Sequence, residues 1–169
     1  MPDDPVPEPT DLDAVRRQLG RRPRSIAAVA HRCPCGLPDV VKTMPRLDDG
    51  TPFPTLYYLT CPRAVSLVGT LEASGLMREM TGRLAADERL AADYRAAHER
   101  YVARREELID VPEIAGVSAG GMPDRVKCLH VLVGQALAEG AGAQPLGDEA
   151  LALLDDWWAA GPCVDPGSE

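Results

Sequence analysis

The chain has 169 residues, 45% of them hydrophobic and 26% charged, and a formal net charge of −8. That length is enough for one domain with a real core, and that charge excludes a general nucleic-acid binder, which needs clustered Lys and Arg to neutralise phosphate. No stretch approaches the ~20 apolar residues of a membrane-spanning helix, so no membrane partner is expected.

Met1 to Pro9 is acidic and proline-rich and reads as a disordered leader. It has neither the basic start nor the apolar stretch of a secretory signal, so a cytoplasmic location is expected. There, the five cysteines would be thiols or metal ligands and not disulfides. A first helix is expected from Thr10, a capping residue with Asp13 three positions on, through Leu12, Val15 and Leu19 to Gly20. Arg16, Arg17, Arg21, Arg22 and Arg24 cluster at its end. They read first as a solvated helix end and second as a phosphate- or partner-binding patch.

Ser25 to His31 and Asp39 to Met44 read as strands, and Asp48-Asp49-Gly50 as a turn. Phe53 to Thr60 is the strongest strand signal, with Pro54 at its beginning or at an edge. Cys61-Pro62 opens a helix that ends at Gly75, with Pro at the first helical position. Val65, Val68 and Leu71 or Glu72 follow at helical spacing. A single long helix is then expected over Leu76–Leu108, on the order of 45 Å. It would kink near Gly82 or pair with another helix. Its seam includes Tyr94 and Tyr101, which face either the core or a second copy.

Ile114 to Gly121 is a small-residue loop. Pro123 is expected to begin a buried helix running to Gly140. A last helix, Gly147 to Ala160, carries the exposed-looking Trp157-Trp158 pair. Residues 10–161 therefore read as one α+β domain: a small, mostly antiparallel sheet packed with several helices, one of them long. Residues 162–169 read as a disordered tail.

The cysteines sit at 33, 35, 61, 128 and 163 with no zinc-knuckle spacing, so each could be a buried small hydrophobe. Cys33 and Cys61 each precede a proline and end a strand, which would place both at one edge of the sheet. Cys61 at a helix start has its thiolate favoured by the helix dipole. Cys128 would lie in the second turn of its helix. His31 alternates with Cys33 and Cys35 along an extended segment. His130 would stand about 200° around a helix from Cys128 and could not share an ion with it. Gly120, Gly121, Arg125 and Lys127 combine a Gly-rich loop with cations at a helix start, the general recipe for an anion site.

The segments Arg32-Cys33-Pro34-Cys35-Gly36-Leu37-Pro38, Pro52 to Pro62 (PFPTLYYLTCP) and Val126-Lys127-Cys128-Leu129-His130 resemble a bacterial family, the domain-of-unknown-function family numbered 501, common in actinobacteria. The likeness covers roughly residues 22–150, and the family label carries no activity. The resemblance implies that Cys33, Cys61 and Cys128 belong to a shared pattern and so to one site. In that pattern position 35 is usually aromatic, and 132 and 135 are often histidine. Here they are Cys35, Leu132 and Gln135, which leaves the fourth ligand open.

Three functions follow as expectations. The first is metal binding by Cys33, Cys61 and Cys128, completed by Cys35, His31 or His130 and holding zinc or an iron–sulfur cluster. The second is an enzyme on a phosphorylated or otherwise anionic small molecule, with Cys61 or Cys128 as nucleophile and the Gly-rich loop as anion holder. The third is a non-catalytic interaction protein that meets a partner or a second copy through the 76–108 helix.

Overall fold

The computed structural model describes residues 4–165. The first helix, α1, spans Pro9–Leu19. It begins before the expected cap because Glu8 and Asp11 cap each other: the Glu8 side chain accepts from the Asp11 N–H, and the Glu8 N–H donates to Asp11 Oδ2 at 3.1 Å. Gly20 ends the helix at φ +66°, which glycine adopts without strain. Part of the expected leader is ordered against the sheet. The Pro5 carbonyl accepts from the Val29 N–H at 3.1 Å, and Asp4 pairs with Lys42. Met1 to Asp3 lie outside the described residues, as do 166–169 of the expected tail. The described part of that tail is also engaged: Cys163 Sγ accepts from Gln18 at 3.4 Å and the Asp165 carbonyl from Arg17 at 3.3 Å.

Strands β1 (Ile26–Arg32), β2 (Pro38–Thr43) and β3 (Tyr57–Leu59) form an antiparallel sheet in the order β1-β2-β3. The α+β class is as expected. The third strand is shorter than its composition suggests. Pro52 and Pro54 have no N–H to give the ladder, and the Thr43 hydroxyl caps the end by donating to the Thr55 carbonyl at 2.8 Å. Because β1 and β3 run the same way, their last residues, and so Cys33 and Cys61, lie toward the same end of the sheet.

Helix α2 (Pro62–Ala73) starts at Cys61 as expected. The long helix does not form as one piece. It breaks at Asp87 into α3 (Leu76–Ala86) and α4 (Glu88–Glu106). Asp87 is extended, and its carboxylate accepts from the Arg89 and Leu90 N–H groups, both at 3.0 Å. The break lies five residues beyond Gly82. Tyr94 and Tyr101 face the chain's own core, fully buried; Tyr101 Oη accepts from the Leu56 N–H at 2.6 Å, and Tyr94 Oη donates to the Arg125 carbonyl at 2.9 Å.

Helix α5 spans Leu129–Glu139 and α6 spans Pro145–Ala152, both shorter than expected. Two glycines let α5 sit centrally. A Cβ on Gly134 would lie 3.0 Å from the Tyr57 carbonyl oxygen of β3, and one on Gly147 of α6 would collide with the Leu132 carbonyl oxygen. Leu132 is fully buried in that packing. Trp157, expected exposed, is buried and meets Trp158 edge-on at 4.7 Å between ring centroids.

Candidate functional site

Residues 123–128 are not helical, and this rearranges the expected site. The Lys127 N–H closes back on the Gly120 carbonyl at 2.7 Å and the Arg125 N–H on the Gly121 carbonyl at 3.2 Å. The Val126 N–H donates to Thr81 Oγ1 at 3.0 Å. Helix α5 therefore begins only at Leu129, with Cys128 as an extended N-cap at φ −151°. Cys128 is not in a second turn, and the 200° separation from His130 does not apply. Sγ of Cys128 is 3.9 Å from Nδ1 of His130.

The third member of the group is Glu72, from the last turn of α2. Its Oε1 accepts from the Leu129 N–H at 2.7 Å and lies 3.0 Å from His130 Nδ1. One donor atom each from Glu72, Cys128 and His130 lies within 4.8 Å of the other two, the one such group of three or more among the described residues. The far side of the ring is also held: Nε2 of His130 is 3.1 Å from the Val65 carbonyl. The neighbouring Cys128 sulfur first, then the Glu72 carboxylate and the Val65 carbonyl, push the His130 pKa up to about 9 against the opposing effect of burial.

The Gly-rich loop is not an open anion cradle. The N–H groups of Arg125, Val126, Lys127 and Leu129 are all donated within the chain. The helix start already holds an anion, the Glu72 carboxylate. Gly120 and Gly121 serve close packing instead, since a Cβ on Gly121 would lie 2.9 Å from that of Lys127.

Beside the trio is a cavity of about 360 Å³, lined by Cys128 and His130 together with Thr55, Tyr58, Val65 and Val131. The walls are mostly apolar, and the thiol and imidazole stand in its lining beside the hydroxyl-bearing Thr55, Tyr57 and Tyr58.

Cys33 and Cys61 do not join this group. Both are buried in the main apolar cluster. Burial pushes the Cys61 thiol up to about 11, outweighing the N–H groups of its helix start, with Cys163 beside it adding to the shift. Burial likewise pushes Cys33 up to about 12, with Cys35 as its neighbour. Cys61 is therefore a protonated core thiol at neutral pH and no ready nucleophile. His31 is engaged elsewhere: its Nδ1 lies 2.7 Å from Oδ1 of the fully buried Asp39. The expected triad of thiols thus separates into Cys33 with Cys35, Cys61 with Cys163, and Cys128 with His130.

Sequence reasoning missed Glu72. A signal was present: Glu72 continues the spacing of Val65 and Val68 on the apolar side of α2. An acid at such a position needs a partner.

The family model described as "Protein of unknown function (DUF501)" matches residues 29–152. The chain belongs to this family. All three members of the trio fall inside the matched segment, whereas Cys163 lies beyond it. No curated protein matches the chain, and no solved structure does.

Proposed function

We propose that this member of the DUF501 family is a metal-binding protein whose ion is held by Glu72, Cys128 and His130. One observation carries the reading: His130 is fixed through Nε2 by the Val65 carbonyl, which leaves Nδ1 turned to the space it shares with the Glu72 carboxylate and the Cys128 sulfur. Metal-bound histidines are held this way, with the second ring nitrogen donating to a carbonyl or carboxylate. One thiolate, one imidazole and one carboxylate suit zinc. They do not suit an iron–sulfur cluster, which takes mostly cysteine ligands. Three protein ligands beside a cavity leave a coordination position for water or a small molecule. A zinc ion there would supply a Lewis acid.

The test is anaerobic purification followed by elemental analysis and a visible spectrum. One equivalent of zinc in a colourless protein is the expected result. Cys128→Ser and His130→Gln should each lose it, while Cys33→Ser should keep it. Metal-free protein in which Cys128 alkylates freely would sink the reading.

A second reading rests on the same cavity. Cys128 Sγ lines it, with Nδ1 of His130 3.9 Å away and the ring held from its far side through Nε2 by the Val65 carbonyl, the parts of a cysteine nucleophile with its histidine partner. Its sign is Cys128 alkylating much faster than Cys35 and Cys163 in metal-free protein, with the excess rate lost in His130→Gln.

A further inference from the structure

The arginines after α1 are untouched by the trio. Arg16 and Arg17 are answered by Asp13. Among the described residues, Arg21, Arg22 and Arg24 meet no carboxylate at ion-pair distance; Arg21 reaches the Arg22 carbonyl at 3.5 Å. All three are exposed.

Arg21 and Arg24 stand beside a cavity of about 340 Å³ on the sheet face turned toward α1. Small-molecule pockets begin at about 300 Å³. Its floor is apolar. Val41 and Tyr58, register partners on β2 and β3, form its base, with Ile26, Leu47 and Phe53 around them. Phe53 and Tyr58 face each other at 6.5 Å between centroids. A groove of about 550 Å³, which shares Pro23 and Ile26 with the cavity, adds Arg16 and Arg22.

The backbone between rim and floor is strained. Ser25 has φ +48°, the only positive value on a non-glycine among the described residues. It is over-determined. Its hydroxyl donates to Asp48 Oδ1 at 2.9 Å and accepts from the Asp48 N–H at 3.0 Å, and its carbonyl accepts from the Met44 N–H at 2.8 Å. Arg24 and Ile26, on either side of Ser25, both line the cavity. The nearby acids are held but not neutralised: Asp48 is held by Ser25, and Asp49, held by the Thr51 N–H at 3.0 Å, also attracts Arg24 through space, so an anion must compete with Asp49 for that guanidinium.

We propose that this cavity binds a small amphipathic anion, with an apolar body of aromatic size on Val41, Phe53 and Tyr58 and a phosphate or carboxylate head between Arg21 and Arg24. In a chain of net charge −8 a bare anion is repelled at long range, so the head needs the apolar seat and the seat needs the head. The proposal does not rest on the Glu72–Cys128–His130 reading, although Tyr58 lines both cavities.

The test is isothermal titration calorimetry on the full chain with 2-naphthyl phosphate, inorganic phosphate and 2-naphthol. One equivalent of 2-naphthyl phosphate should bind, at least tenfold tighter than either fragment, and more weakly as salt is raised. The double variant Arg21→Gln/Arg24→Gln, whose exposed side chains leave the core untouched, should weaken it at least tenfold. Cys128→Ser should not change it. Ring resonances of Phe53 and Tyr58 should shift on binding. Undetectable binding, equal binding of inorganic phosphate, or full affinity in the double variant would each overturn the proposal.

Discussion

Glu139→Gln tests whether one buried carboxylate ties β3, α4 and α5 together. The side chain is 2% exposed and takes four donors: Arg100 Nε at 2.9 Å, and Arg104 Nε, Tyr57 Oη and Gln135 Nε2, each at 3.2 Å. Glutamine keeps the shape but removes the charge and turns an NH2 toward at least one donor. Breaking a buried charge network costs about 3–5 kcal/mol. The lower end applies, because Arg100 and Arg104 retain 36% and 22% side-chain exposure and rehydrate. A loss of ~3 kcal/mol lowers Tm by roughly 6–12 °C in a chain of this size. Urea unfolding should show a lower midpoint at unchanged slope. A double-mutant cycle with Arg100→Gln should show coupling. A loss below ~1 kcal/mol, or additive single effects, would refute the assignment of these contacts as one network.

Gly147→Ala should force α6 off the Leu132 carbonyl and cost about 1–3 kcal/mol, read by urea unfolding; a neutral effect would contradict the close helix crossing. Iodoacetamide at neutral pH, followed by peptide mapping, should label Cys33 and Cys61 last, since burial holds them up at about 12 and 11, and urea should abolish the difference. Asp11 receives both Arg32 nitrogens at 2.8 Å, and the hydrogen bond to that guanidinium holds its pKa below the ordinary 3.8 against burial. A depressed carboxylate stabilises above the unfolded value and loses that contribution as pH falls through the folded one. Asp11→Asn should therefore cost ~1–2 kcal/mol at pH 7, with Arg32 partly screened by water. That difference from the parent chain should begin to shrink at about pH 4, where the unfolded carboxylate takes up its proton, and vanish only as pH falls through the lower folded value; an unchanged difference at about pH 2 would contradict the ion pair.

The elements that follow local rules were legible. Gly20 ends α1, Pro62 follows an N-cap at Cys61, a small apolar stretch with Ile26 and Val29 forms β1, and Val40, Val41 and Thr43 mark β2. The misreadings came where a side chain or a loop overrode the pattern. The apolar seam over Leu76–Leu108 keeps its spacing but is interrupted by Asp87, His98 and Arg105, and at Asp87 the side chain caps a new helix. Val126 to Leu137 reads as helix, yet the turn that closes from Lys127 to Gly120 holds its first residues extended.

The sequence by itself determined the class of the fold, the family strings and the edge where Cys33 and Cys61 end their strands, because these depend on spacing and on residues near in the chain. Only the tertiary structure decided which thiol meets which partner. Glu72 lies 58 residues from His130, and their meeting depends on α2 packing against the start of α5. Folding also closes Cys33 and Cys61 into the core, where loss of water keeps a thiol protonated whatever its place in the sequence pattern.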